Sequence, residues 1–434
     1  MPASATAAVT EPVKKDSVPE IIAASMVGTA IEFYDNYCYS IAAASYFGAI
    51  FFANVTNPAL AQIMAFTTFA VSFLARPFGS MLFGHFGDKM GRKTLVIALM
   101  TMGIATFLVG CLPGYEQVGG VSVVILCVCR ACQGVGLAGE WSGAALVATE
   151  NAPASKRALY GSFPNLGAPI GFFCAYGLNL LLTTHLGQEQ MGAWGWRIPF
   201  LASVVLVIIG LYVRARMSET PVFQKASEEK RTSKHPLRDL LPYWKEVVLG
   251  TVAMGITYTL FYVLGTWSLS YGVKGLGFQQ SEYLLLQMVS VVFFAIFIVV
   301  SCVYADKVGR KKVLLAVTAA TLVFSFFTPF LLVHSAAHIL VFLCIGFVLM
   351  GGLFGPCGAY LPELFPVHVR YSGAGLSYNL AAIFGGAFAP TIAQALVNSK
   401  FGVAGVGWYM AIMAALALLA LFLIKESKDK DYEL

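Results

Sequence analysis

The chain has 434 residues, 58% hydrophobic and only 12% charged, with a formal net charge of +6. Soluble domains carry about 25% charged residues, so this composition excludes a chain that buries its apolar surface by folding in water alone. The basic excess does not mark a nucleic-acid partner, because Lys and Arg collect in short loops between long apolar runs.

A spanning helix needs about 20 apolar residues. The alternation of uncharged runs and charged loops predicts twelve spans, at 21–51, 60–86, 94–113, 120–149, 158–185, 197–214, 246–272, 281–305, 313–333, 338–361, 371–398 and 404–424. The first twenty residues form a polar tail with Pro2, Pro12 and Pro19 and without the pattern of a signal peptide. In the first span Gly28, Glu32, Asp35 and Tyr39 recur at helical spacing and share one face, with Tyr34 and Tyr37 beside them. The second span carries Arg76. In the fourth, Arg130, Gln133 and Glu140 fall within a wedge of about 80°, while Gly134 and Gly136 allow another helix close. Asn165 lies in the fifth span. Residues 215–245 form a charged linker too short for a domain of its own. The later spans add Tyr258, Tyr262, Trp267, Gln287, Tyr378 and Asn379 as candidates to line a cavity. Ser372, Gly375, Asn379 and Gly386 share a face.

Two landmarks occur twice. Gly87-Asp-Lys-Met-Gly-Arg-Lys93 returns as Ala305-Asp-Lys-Val-Gly-Arg-Lys311, and Glu150, Pro153 and Arg157 return as Glu363, Pro366 and Arg370. Nearly equal offsets imply a duplicated membrane unit, an arrangement typical of transporters. The expected division is a cytoplasmic tail (1–20), a six-helix bundle (21–214), a cytoplasmic linker (215–245), a second six-helix bundle (246–424) and a cytoplasmic tail (425–434). With twelve spans both termini share a side. The opposite side holds only Arg197, Lys274 and Lys400, so the positive-inside rule places the termini in the cytoplasm. In each repeated loop the glycine permits a tight reversal. The acid, Asp88 or Asp306, is suited to cap the positive end of a neighbouring helix in one conformation and release it in another. With Arg92 and Arg310 these residues form candidate gates.

Five charged residues lie well inside the spans: Glu32, Asp35, Arg76, Arg130 and Glu140. Each costs about 2.5–3.5 kcal/mol on insertion scales and calls for a partner or a watery cavity. Three acids face two arginines, leaving one carboxylate to take and release a proton. The opposed polar stripes of the first and fourth spans predict an Asp35–Arg130 pair at mid-membrane, with Glu32 a second proton candidate. Pairing for helix packing alone is the competing reading. Arg76 is suited to anchor a carboxylate through its planar fork. The nine cysteines read as reduced apolar fillers. Cys127, Cys129 and Cys132 lack histidine partners, and neither metal nor cofactor is expected.

The twin loops, with Arg130-Ala-Cys-Gln-Gly-Val-Gly-Leu-Ala-Gly-Glu-Trp141 between them, resemble the major facilitator superfamily. Ile31-Glu-Phe-Tyr-Asp35, Phe73-Leu-Ala-Arg-Pro-Phe-Gly79, Ala193-Trp-Gly-Trp-Arg-Ile-Pro-Phe200 and Arg370-Tyr-Ser-Gly-Ala-Gly375 resemble its metabolite:proton symporter family, in particular the shikimate and 2-oxoglutarate permeases. Phe33, Asn36 and Ser40 depart from that family's Trp, Phe and Gly, and Ala138-Gly-Glu140 from its Gly-Gly-Glu. The resemblance implies an all-α membrane protein of twelve helices in two pseudo-symmetric six-helix bundles. It implies a monomeric proton-coupled symporter of the bacterial inner membrane, importing a small organic acid by alternating access. By likeness to sugar/proton symporters, Asp35 is the proton carrier and Arg130 its partner. Uptake of a zwitterion such as proline or betaine is the alternative, and the absence of a long C-terminal coiled coil speaks against it. A channel or a membrane enzyme is the remaining class. No nucleophile–base pattern, metal spacing or nucleotide loop supports the enzyme.

Overall fold

A computed structural model describes residues 18–90, 92–138, 140–150, 152–216 and 239–426. The expected N-terminal tail, most of the 215–245 linker and the end of the C-terminal tail lie outside these residues. The elements in chain order are α1 (Val18–Ser45), α2 (Pro58–Met90), α3 (Arg92–Cys111) and α4, which runs Val121–Leu137 and resumes as Glu140–Glu150. Then come α5 (Arg157–Ala193), α6 (Ile198–Arg216), α7 (Leu241–Lys274), α8 (Gln280–Val308) and α9 (Arg310–Leu331). The last three are α10 (Ala336–Glu363), α11 (Arg370–Val397) and α12 (Gly402–Leu423). Nine helices among the described residues are long and apolar enough to cross a membrane. Large apolar side chains such as Phe78, Phe330 and Phe422 stand exposed on their outer faces, as lipid-facing residues do.

The duplication is visible in how helices cross. A Cβ on Gly134 of α4 would lie 2.0 Å from the carbonyl oxygen of Ser72 on α2, and one on Gly351 of α10 2.6 Å from that of Phe294 on α8. Gly171 of α5 meets the carbonyl of Ala30 on α1 in the same way, and Gly385 of α11 meets Gly255 on α7. Backbone approaches backbone because no side chain intervenes, the usual solution where lipid removes the hydrophobic drive for helix association. Between α8 and α9 the chain turns at Gly309 with φ 109°, the reversal expected from the repeated loop.

Four predicted spans are less regular than their apolar runs imply. The helix of α4 is interrupted after Leu137, and α5 bends at Leu166 behind Pro164 and again at Gly187, whose φ is 73°. Val263–Trp267 in α7 and Ala382–Ala387 in α11 are π-helical turns. Such turns free carbonyl groups and concentrate at functional sites. Here Gln287 on α8 donates to the oxygens of Leu264 (2.9 Å) and Gly265 (3.0 Å), while Thr259 serves Gly385 (2.9 Å).

Candidate functional site

The N-terminal half encloses a line of polar side chains. Asp35 is buried on α1, and its Oδ2 accepts from Thr106 Oγ1 on α3 at 2.9 Å. Thr106 in turn accepts from Gln133 Nε2 on α4 at 2.7 Å, and Gln133 Oε1 accepts from Arg130 Nη1 at 2.9 Å. The Arg130 guanidinium lies 3.8 Å from the ring centroid of Tyr39. That cation–π contact replaces part of the hydration lost on burial. The face shared by Gly28, Glu32, Asp35 and Tyr39 therefore does meet the polar stripe of α4. The direct Asp35–Arg130 ion pair is not formed: Thr106 and Gln133 stand between the two charges. The reason is local. The Tyr39 ring holds the guanidinium, and an amide plus a hydroxyl supplies the one bond each charge makes. A small cavity lined by Glu32, Asp35, Asn36, Ser72, Met102, Arg130, Gln133 and Leu137 adjoins this line, with room for about one water molecule.

Above this core the C-terminal half contributes aromatic residues. Tyr258, Tyr262, Tyr378 and Glu32 all lie close enough to the buried Arg76 guanidinium to act on its charge. Tyr378 stacks on Trp141 at 3.8 Å with the rings 7° from parallel. Asn36 Nδ2 donates to the Tyr262 hydroxyl at 2.8 Å. Several buried polar atoms of residues in this region make no hydrogen bond: Asp35 Oδ1, Arg76 Nε, Arg130 Nε and Nη2, and the hydroxyl of Tyr37. Buried polar atoms without partners are costly and rare, and a group of them at one place marks where a polar ligand belongs.

Contacts between the halves close the seam at both ends. On the face carrying the α8–α9 loop, Asp306 accepts from the backbone N–H groups of Ala158 and Leu159 at 3.0 Å each, capping the start of α5 across the interface. Arg310 lies 3.2 Å from Asp306 and 3.2 Å from Glu363. The second repeated loop thus makes the helix-capping contact its acid predicts, and the repeated Glu363 joins it. Asn165 Nδ2 donates to the Phe354 carbonyl (2.8 Å), and Asn379 Nδ2 to Ala138 at the break in α4 (3.1 Å). On the opposite face Tyr176 donates to Gly265 (2.6 Å), Lys274 to Gln62 (2.5 Å) and Gln280 to Tyr46 (2.8 Å).

The candidates from sequence divide accordingly. Glu32, Asp35, Arg76, Arg130 and Gln133 come together, with Tyr258, Tyr262 and Tyr378 facing them. Tyr34 does not join them. It sits one position off the Asp35 face and donates to the Pro199 carbonyl at 2.9 Å. Asn165, Asn379 and Gln287, candidates to line a cavity, each donate their amide to protein carbonyls that helix interruptions and π-turns leave open nearby. The side chains of Asp88, Arg92 and Glu140 lie outside the described residues. Sequence reasoning missed Thr106, Asn36 as a bridge to Tyr262, and Tyr176. The position of Asn36 beside Asp35 was a usable signal. Thr106 had none, since an intramembrane threonine normally bonds back to its own helix.

Two helical halves of one repeat, packed around a buried polar seam and tied together at both ends, define a secondary transporter. The family profile of the Major Facilitator Superfamily matches residues 26–383 and 276–433, and the chain belongs to that superfamily, whose members are transporters rather than enzymes. It is 49% identical over 420 residues, 95% of both chains, to the inner membrane metabolite transport protein YhjE of Escherichia coli K12. It is 34% identical over 401 residues to the shikimate transporter of the same organism (91% of this chain, 90% of that protein). It is 30% identical over 423 residues to its proline/betaine transporter (94% and 84%). Among solved structures, the D-xylose-proton symporter superposes with a TM-score of 0.75 at 19% identity, covering 95% of this chain and 99% of that one, which speaks to the fold. The protein is thus a multi-pass membrane transporter of small metabolites.

Proposed function

We propose that the protein carries a small organic acid into the cell together with a proton, by alternating access between bundles 21–214 and 246–424. One observation carries this reading. A buried carboxylate, Asp35, with one oxygen unpartnered, is wired through Thr106 and Gln133 to a desolvated arginine at the seam between the halves. In this reading Asp35 is the proton carrier, with Glu32 beside the same cavity, and Arg76 and Arg130 offer their unpartnered nitrogens to the substrate carboxylate. Tyr258, Tyr262 and Tyr378 enclose its body. The face with the α8–α9 loop is cytoplasmic, and Asp306 and Arg310 latch it, as the repeat suggests for Asp88 and Arg92. The protein works as a monomer in the inner membrane. The 34% identical shikimate transporter supports an acid as cargo.

A zwitterion is the second reading. Three tyrosines near one arginine, one of them stacked on Trp141, also suit a quaternary ammonium, whose charge favours aromatic faces, and the 30% identical proline/betaine transporter is consistent with it. Purified protein in vesicles with an alkaline lumen, offered labelled shikimate, 2-oxoglutarate, citrate, benzoate, proline and betaine separately, decides between them. Accumulation of one or more acids without proline or betaine is expected. Uptake confined to proline or betaine overturns the acid assignment.

A further inference from the structure

Thr106 has one hydroxyl hydrogen and two acceptors in reach, Asp35 Oδ2 at 2.9 Å and the Met102 carbonyl at 3.0 Å, while its oxygen accepts from Gln133 at 2.7 Å. The charged and titratable groups around this point are Glu32, Tyr34 and Cys38 on the helix of Asp35, Arg130 on α4, and Cys174 of α5 behind Tyr34 and Cys38; α3 presents Thr106 and Met102. We propose that Thr106 is a positioning residue whose hydroxyl rotor reads whether Asp35 holds a proton and passes that state through Gln133 to Arg130. The inference rests on Asp35 as the proton carrier.

The two states balance without any covalent change to the chain. With Asp35 ionised, Thr106 donates to Oδ2, and the polarised hydroxyl oxygen holds Gln133, which in turn holds Arg130 Nη1. When a proton arrives on Oδ2, the carboxyl donates to Thr106 Oγ1 and the threonine hydrogen turns to Met102. The oxygen then accepts from two donors and its grip on Gln133 weakens. Arg130 is released toward the seam, where its Nε and Nη2 already lack partners. Protonation thereby precedes capture of the substrate carboxylate. Valine at this position has the shape of threonine without the rotor, whereas serine keeps the rotor.

The test needs no known substrate. The C=O stretch of protonated carboxyl groups is followed by infrared spectroscopy against pH in full-length protein in vesicles, and the Asp35 band is assigned by its loss in Asp35→Asn. Thr106 donates to the ionised form, so Thr106→Val moves the midpoint of that band upward by about one pH unit, and Thr106→Ser restores it. A midpoint in Thr106→Val equal to wild type, or a Ser variant that behaves like Val, overturns the relay while leaving Asp35 in place. A spectrum in which Asp35→Asn removes no titrating band overturns the proton-carrier reading itself. Thr106→Ala carries the same expectation and replaces the valine variant if the latter does not reconstitute.

Discussion

Arg130 is held by two neighbours that the sequence names, Tyr39 and Gln133, and Asp35 by one that it does not, Thr106. Tyr39 lies on the predicted face and supplies the ring beneath Arg130, while Thr106 comes from a helix without an ionisable residue in its apolar run. Charge in lipid is conspicuous because it is expensive, so Glu32, Asp35, Arg76 and Arg130 were legible at once. Neutral bridges such as Thr106 and Asn36 carry no such cost and leave no mark on composition. Two outcomes follow at this scale. Asp35→Asn keeps the shape of the carboxyl group but cannot carry a proton, so gradient-driven accumulation is lost while exchange of labelled for unlabelled substrate persists; tracer flux in both modes checks this. Arg130→Lys retains the charge and loses the planar fork, so KM for an acid substrate rises about tenfold, an effect of roughly 1.4 kcal/mol.

Elements were legible where one rule governs them and obscured where two compete. Twelve apolar runs gave the helices, but the interruption of α4 after Leu137 and the π-turns in α7 and α11 have carbonyls that bond side chains of other helices. No local pattern announces such partners. The repeated loop is the opposite case: its acid is suited to capping by the local pattern alone, and Asp306 caps the start of α5. Asp306→Ala removes two hydrogen bonds to a charged group, worth about 1.5–3 kcal/mol each. The latched state is then less populated, and spin labels at Ser155 and Lys312, both exposed, move apart in their distance distribution. An unchanged distribution assigns the latch to other contacts. Gly134→Val places a side chain against the Ser72 backbone. Overpacking of that kind costs about 1–3 kcal/mol, visible as a lower thermal midpoint of the purified protein.

Across the whole molecule the repeat is kept in packing and abandoned in chemistry. Asp35 stands five residues beyond the Ala30 crossing; five beyond the matching Gly255 crossing stands Leu260. Arg130 lies four residues before Gly134, and Phe347 four before Gly351. The N-terminal half holds the ionisable line, and the C-terminal half covers it with aromatic residues. This division was only partly legible. The charges are countable by half, but that the tyrosines of α7 and α11 face Arg76 depends on how two bundles meet. In the proposed reading, alternating access amounts to parting an aromatic cover from a charged floor. Its energy source is the central claim. In vesicles without any imposed gradient, addition of a transported acid is followed simultaneously by tracer entry and by a pH electrode in weakly buffered medium. The account predicts that the medium turns alkaline in step with substrate entry, and that Asp35→Asn abolishes the alkalinisation. Substrate entry at wild-type rates with no accompanying proton movement would contradict it.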